Sequence, residues 1–162
     1  MDAMKAIWII LLLLMTGGCT GFPSLNSPAT PERRAVSSEA RVLNDYRASK
    51  GLSKLIEHYQ LTSAAQAHAV ESGGRSYVGH YSANDDDPID RVERAGYSAA
   101  GLAENSHGGD DTFEEAMIAW LTSTPHREVL DMEPASHFGV GFSFNPASQH
   151  KWHWVLLIAE PR

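Results

Sequence analysis

The stretch that decides the fold class is HFGVGFSFNPASQHKWHWVLLIA, residues 137–159, near the end of the chain. Its first eight residues alternate large apolar side chains with small or polar ones, which is the two-residue period of a half-buried β-strand. Asn145–Ser148 then supplies the residue types that tight turns prefer. Trp152–Ala159 is a nearly continuous apolar run, as expected for a strand covered on both faces. The stretch therefore predicts two strands joined by a short turn within a small antiparallel sheet.

Before these strands, apolar residues recur with the 3.6-residue period of amphipathic helices. Residues 101–109 are glycine-rich and are predicted to form a connection. Four helices are expected. They run from a cap at Ser37 or Ser38 to Lys50-Gly51, over residues 60–71 with a stop at Gly73-Gly74, from Asp87-Pro88 to Gly96, and from Asp111-Thr112 onward. A short helical segment is also expected over residues 124–130. Helices followed by strands predict an α+β fold, with about four helices packed on the sheet.

Composition and charge limit the function classes. The chain has 162 residues, 43% of them hydrophobic, which suits one globular domain and leaves no room for a second. Its 20 acidic residues outnumber the 13 Lys and Arg, giving a net charge of −7. Nucleic-acid binding needs a basic surface, so this class of partner is excluded. Cys19 is the only cysteine, which rules out an intramolecular disulfide and a multi-cysteine metal site.

The N-terminus has the features of an export signal. Nine apolar residues, Ile7–Met15, are too few to span a bilayer, and small residues follow them. We predict a signal peptide over residues 1–18, and Gly17-Gly18-Cys19 resembles a bacterial lipobox with Cys19 as the lipidated residue. The alternative is an ordinary secretory signal with an incidental Cys19. Residues 19–38 are rich in Pro and Ser and predict a tether, and residues 39–162 form the domain.

Three polar residues interrupt the apolar pattern where chemistry is plausible: His80, Glu104 and His126. Two neutral imidazoles and a carboxylate can ligate a divalent ion such as zinc. Alternatively, one imidazole can act as a base while the carboxylate, with Glu104 the candidate, orients water. The residues are 24 and 22 positions apart, and no HExxH motif links them. A site therefore requires the fold to bring separate segments together.

Neighbouring polar residues complete the predicted cleft. Asn105 follows Glu104, while Ser123 and Arg127 flank His126 at a helix start. Ser123 lacks the GxSxG surroundings of a hydrolase nucleophile. His107 and His137 are either cleft neighbours or surface groups. The acidic run at residues 84–87 is interpreted as a helix-capping cluster rather than a calcium loop, because it lacks the central glycine and the final glutamate of such loops.

Taken in order, the sequence phrases resemble the CAP superfamily, which comprises the cysteine-rich secretory, antigen 5 and pathogenesis-related proteins, and in particular its bacterial branch. The resemblance covers residues 38–159, and its strength lies in the order of eight phrases. These are Leu43-Asn44-x-x-Arg47 with Gly51-Leu52, Leu61-x-x-Ala64-Ala65-x-x-His68-Ala69, Gly79-His80, Arg91-x-x-x-Ala95-Gly96-Tyr97, Glu104-Asn105, Trp120-x-x-Ser123-x-x-His126-Arg127, Gly139-Val140-Gly141 and Trp152-x-Trp154-Val155.

The resemblance implies an α-β-α sandwich with an open cleft lined by two histidines and two acids. By position, His80 and His126 match the histidines, and members of the family have been found with zinc or another divalent ion between them. Glu104 matches the first acid, whereas Ser123 stands where the second is expected. The disulfides of secreted eukaryotic members are absent here, because the chain has a single cysteine.

Three functional hypotheses follow. The first is an envelope-tethered module that binds a ligand in the cleft, with or without a divalent ion; a lipid, a sterol or a cell-wall fragment are the candidate ligands. The second is a metal-assisted hydrolase of peptide or cell-wall bonds, with Glu104 as base. The third treats the three residues as a polar cluster that only holds loops together. We expect an exported monomer, anchored to a bacterial membrane through Cys19, and to the outer membrane in a Gram-negative host.

Overall fold

The computed structural model describes residues 37–162 as five helices and four strands. The predicted signal peptide, Cys19 and nearly all of the tether lie outside these residues. The helices are α1 (Ser38–Ser49), α2 (Tyr59–Arg75), α3 (Pro88–Arg94), α4 (Phe113–Leu121) and α5 (Thr124–Leu130). The strands are β1 (Ile56–Glu57), β2 (Ala99–Gly108), β3 (His137–Phe144) and β4 (Trp152–Pro161).

The four strands form one mixed sheet in the order β1-β3-β4-β2. The β3–β4 hairpin is antiparallel, with Phe138 opposite Ile158 and Phe142 opposite Trp154, as the alternating pattern predicts. Strand β2 pairs antiparallel with the other side of β4. The prediction of a purely antiparallel sheet is wrong in one place, because β1 runs parallel to β3 through a two-residue pairing.

Helices cover both faces of the sheet, which gives the α-β-α sandwich. On one face, α1, α4 and the end of α5 bury an apolar core against alternate residues of β4, among them Trp154, Leu156 and Ile158. On the other face, α2 and α3 pack against the intervening residues Val155 and Leu157. Because successive side chains of a strand point to opposite faces, the unbroken apolar run of β4 supplies both cores.

Helix α2 lies unusually close to the sheet. Its buried face consists mostly of small residues, including Ala65 and Ala69. Opposite them, β3 carries Gly139 and Gly141, where a side-chain carbon would overlap the backbone of α2. The small residues on both sides therefore allow the backbones of the helix and the strand to meet directly.

Two further sequence predictions need correction. The glycine-rich connection over residues 101–109 is largely strand β2. Helix α2 also continues through Gly73-Gly74 to Arg75, and it ends at Ser76, which adopts the left-handed conformation with φ of 51°. The caps of α1, α3 and α4 lie where they are predicted, and Asp87 of α3 forms a reciprocal capping box with Asp90.

The helices of the described domain do not cross a membrane. Among residues 37–162, none of them combines the length and the apolar character that crossing a bilayer requires.

Candidate functional site

The predicted site lies along β2, the strand at the edge of the sheet. Glu104 is opposite Leu157, and its side chain therefore belongs to the face covered by α2 and α3. Asn105 is opposite Leu156 and belongs to the face covered by α1 and α4. Neighbouring residues of one strand thus contribute to both sides of the sheet at its margin.

Glu104 joins two elements through its carboxylate. His80 Nδ1–H donates to Oε1 over 2.9 Å, and Arg91 Nη2–H donates to Oε2 over 2.6 Å. The carboxylate is almost fully buried, whereas 46% of the His80 side chain is exposed. Both carboxylate oxygens are therefore engaged inside the protein, and the imidazole of His80 faces solvent with its Nε2 free of any protein hydrogen bond within residues 37–162.

Arg91 is a functional residue that belongs to one of the sequence phrases but has no predicted role. Besides Glu104, its guanidinium donates to the carbonyl oxygens of His80 over 2.8 Å and Asp86 over 3.0 Å. Only 6% of its side chain is exposed. Arg91 consequently fixes the loop that carries His80 and neutralises the charge of Glu104 in the same place. Its position inside a short helix gave no sequence signal of this role.

His126 approaches the same margin from the other face. It lies in the first turn of α5, and its backbone carbonyl accepts a hydrogen bond from Asn105 Nδ2 over 2.9 Å. Burial lowers the pKa of His126, and the nearby imidazoles of His80 and His107 lower it further. The fold thus brings His80, Glu104 and His126 to one margin of the sheet, with His126 neutral at physiological pH.

His107 is the additional imidazole at this site. Its Nε2–H donates to Asp110 Oδ2 over 2.6 Å, and its ring meets Trp120 edge to face. It shares a face of β2 with Asn105, whose side-chain oxygen Oδ1 is buried without a hydrogen-bond partner in the described part of the chain. Of the two alternatives left open for His107, these contacts favour a position beside the candidate site. His137 lies on β3, two strands from β2, where its Nδ1 bonds to the hydroxyl of Tyr97.

The two other predicted cleft residues have local contacts. Ser123 is the N-terminal capping residue of α5, but its hydroxyl makes no capping hydrogen bond. Arg127 donates to the carbonyl of Leu121 over 3.2 Å and to the hydroxyl of Thr124 over 3.2 Å, so its guanidinium ties α5 to the end of α4. These contacts position the helix that carries His126.

The side chains at this margin limit how a divalent ion could be held. Within residues 37–162, no three His, Cys, Asp or Glu side chains are arranged to hold a metal ion. A catalytic zinc site needs three protein ligands, and both oxygens of Glu104 are already occupied. A histidine that ligates a metal commonly donates its second ring nitrogen to a carboxylate, as His80 does here. His80 therefore has the carboxylate contact that is common in metal-ligating histidines, but the described residues supply no set of three ligands around it.

A concave region lies between α2, α3 and the loop before α3. It has a volume of about 410 Å³ and is lined by alanines and by charged residues, including Glu71 and Arg94. These charges are already paired, Glu71 with Arg75 and Arg94 with Asp86. The pocket contains neither His80 nor His126, but Arg91, the partner of Glu104, is one of its lining residues.

Comparison with known proteins places the chain among bacterial relatives. The uncharacterized protein YkwD of Bacillus subtilis (strain 168) is 27% identical over 128 residues, which cover 72% of this chain and 50% of YkwD. The chain thus spans about half the length of this relative.

Solved structures agree on the fold. An outer surface protein of Borrelia burgdorferi superposes with a TM-score of 0.69 at 19% identity, covering 76% of this chain and 90% of that protein. An extracellular protein containing a SCP domain from Bacillus anthracis str. Ames gives a TM-score of 0.66 at 22% identity, covering 75% and 39%. The family model described as "Cysteine-rich secretory protein family" matches residues 40–158. The chain therefore belongs to the cysteine-rich secretory protein (CAP) family and is of the bacterial type.

Proposed function

We propose that this CAP domain is a ligand-binding module of the cell envelope, and that its ligand binds between His80 and His126 at the margin of the sheet. The observation that carries the proposal is the buried carboxylate of Glu104, which orients one half-exposed imidazole while Arg91 neutralises its charge. Buried charge of this kind is costly to maintain. We attribute the cost of burying this charge to a function, which is to present the free Nε2 of His80 to a ligand.

A divalent ion is part of the proposal. His80 Nε2 and the neutral imidazole of His126 would hold it, and zinc suits such nitrogen ligands. When bound, the ion supplies positive charge for an oxygen atom of the ligand. His107 lies near His126. Its Nε2 is not available as a ligand of the ion, because that nitrogen bonds to Asp110.

Binding is preferred over metal-assisted hydrolysis for a structural reason. The hydrolase hypothesis needs Glu104 as a base with a free oxygen, whereas Arg91 and His80 occupy both of its oxygens. The second acid of the family is also replaced by Ser123, whose side chain cannot take over that role. These contacts favour an orienting role for Glu104.

The proposed location is the outside of a bacterial membrane, with the chain exported through residues 1–18 and anchored by lipid on Cys19. The support comes from the lipobox-like sequence and from relatives described as an outer surface protein and an extracellular protein. Mass spectrometry of the purified chain tests the anchor directly. Lipid mass on an N-terminal Cys19 is expected, and its loss in Cys19→Ser is the control; an unmodified Cys19 would refute the anchor.

Zinc-dependent thermal unfolding of the full chain tests the site. An ion that binds only the folded state at a hundred times its Kd adds about 2.7 kcal/mol, which corresponds to a rise in Tm of roughly 10 °C for a domain of this size. The rise should disappear in the His80→Ala/His126→Ala double variant and persist in His150→Ala, a histidine outside the site. An equal rise in all three proteins would refute ion binding at these imidazoles.

A further inference from the structure

The two outer edges of the sheet are treated differently. At the β3 edge, β1 pairs with His137 and Phe138. Further along, the Gln66 side chain bonds to both backbone groups of Phe142, donating to its carbonyl over 2.8 Å and accepting from its N–H over 3.1 Å. Exposed strand edges invite pairing with other chains, and proteins commonly block them in such ways. Part of the β3 edge is therefore covered by the chain itself.

The outer edge of β2 has no comparable cover. Gly109 N–H donates to the carbonyl of Trp152, which sets the hydrogen-bonding register with β4. Because alternate residues of an antiparallel strand bond to the same neighbour, the backbone groups of the even-numbered residues point away from β4. These residues are Leu102, Glu104, Ser106 and Gly108. Within residues 37–162 no strand pairs with this side, and only the Trp120 indole N–H reaches it, at the carbonyl of Ser106.

The open groups lie where solvent has limited access. Glu104 and Ser106 are 7% and 8% exposed as whole residues, yet their N–H groups have no protein partner within the described part of the chain. Buried backbone donors are nearly always paired. The side-chain Oδ1 of the fully buried Asn105 is a second unpartnered polar atom on this strand. These unsatisfied groups, repeated every second residue, match the main chain of another extended strand.

We propose that the ligand of the site is an extended peptide, which adds to the outer edge of β2 as a fifth strand. This inference rests on the proposed function and specifies its ligand class. Main-chain hydrogen bonds to Leu102, Glu104 and Gly108 provide affinity, and alternate side chains of the peptide fall on opposite faces of the sheet. One set lies beside His80, and the other lies beside His126 and His107.

A second copy of this chain is the competing occupant of the edge. Each chain carries a net charge of −7, so the approach of two copies is opposed by repulsion. A short uncharged peptide meets no such repulsion, and its main chain would lie next to the outward backbone groups of Glu104. The peptide is therefore favoured, and self-association becomes an outcome of the test.

Amide NMR of the full-length ¹⁵N-labelled chain tests the proposal with a randomised mixture of proline-free heptapeptides at millimolar concentration. We expect shifts and slower exchange of the Leu102, Glu104, Ser106 and Gly108 amides, which face outward, and no slowing of the Asn105 amide, which already pairs with β4. The same mixture with every peptide nitrogen methylated is the control and should have no effect, because its main chain cannot donate.

Three outcomes would overturn the inference. The first is an absence of change at the outward amides, and the second is an equal change with the methylated mixture. The third is protection of these amides in the peptide-free protein together with a dimeric mass by sedimentation. If zinc shifts the resonances of His80 and His126 while peptides leave β2 unchanged, the peptide inference fails and the proposed site stands. If neither zinc nor peptide acts on these residues, both proposals fail.

Discussion

Replacing Arg91 with methionine removes the ionic partner of Glu104 while keeping an apolar side chain of similar length. The two side chains are 6% and 2% exposed, so the remaining carboxylate cannot turn to water. Breaking a buried ion pair from one side costs about 3–5 kcal/mol, against a total stability of about 5–15 kcal/mol for a domain. The hydrogen bonds that hold the His80 and Asp86 carbonyls are lost as well. We therefore expect Arg91→Met to lose at least about a fifth of the stability of the domain.

Urea unfolding followed by tryptophan fluorescence measures this loss. A change of about 4 kcal/mol lowers the midpoint by about 2 M when m is near 2 kcal/mol/M. Arg94→Met is the matched control on the same helix, because Arg94 is 62% exposed and its pair with Asp86 is worth at most about 1 kcal/mol. The double variant Arg91→Met/Glu104→Leu should be more stable than Arg91→Met, since it removes the unpaired charge. Equal losses in the Arg91 and Arg94 variants would refute the argument.

Three more predictions test the fold. Gly141→Ala places a carbon against the backbone of Gln66, so calorimetry should show a loss of about 1–3 kcal/mol, whereas Gly74→Ala, with open space around it, should gain about 0.5 kcal/mol. Gln66→Ala uncovers the backbone of Phe142; we expect a loss of about 1 kcal/mol by urea unfolding, and an unchanged stability would contradict this. Stability should also fall as the pH drops below about 6.5, because the unfolded chain binds protons more tightly than histidines whose pKa is lowered mainly by burial. Each such histidine contributes up to about 1.4 kcal/mol per pH unit. Urea titrations that show no such slope would refute this prediction. These histidines are His126, His137 and His153.

The elements that could be predicted from the sequence are those in which the spacing of apolar residues matches the face that is buried. The β3–β4 hairpin and α4 carry apolar residues at the right periods, and Asp87-Pro88 marks the start of α3. Strand β2 was missed because AAGLAENSHG has neither an alternating apolar pattern nor β-branched residues. Its inward-facing position at Glu104 holds an ion pair instead of an apolar side chain, and pairing with β4 determines its conformation.

The predicted end of α2 at Gly73-Gly74 is wrong for a different reason. Gly73-Gly74 resembles a helix stop, but a side chain at Gly73 would lie 2.5 Å from Ser143 Oγ of β3. Glycine is needed there for the close approach of the sheet, not for a left-handed turn, and Ser76 adopts that turn instead. Local sequence cannot separate these two uses of glycine, because the distinction depends on a strand about 70 residues away.

The three site residues could be selected from the sequence, but their connection through Arg91 could not. An arginine four residues into a helix is ordinarily a solvated side chain, and only the tertiary structure reveals that it faces Glu104 and the His80 loop. The same is true of His107, whose proximity to His126 depends on the placement of α5 beside β2.

The origin of the two imidazoles has a mechanical consequence. His80 precedes the α3 layer, and His126 belongs to the α4–α5 layer on the opposite face of the sheet. A ligand bound to both imidazoles would connect the two helical layers at the edge of the sheet. Without a ligand, the two cores are linked through the strands that lie between them. Ligand binding should therefore resist any separation of the two helical layers, and substitutions in either core should change the affinity by changing the distance between the two imidazoles.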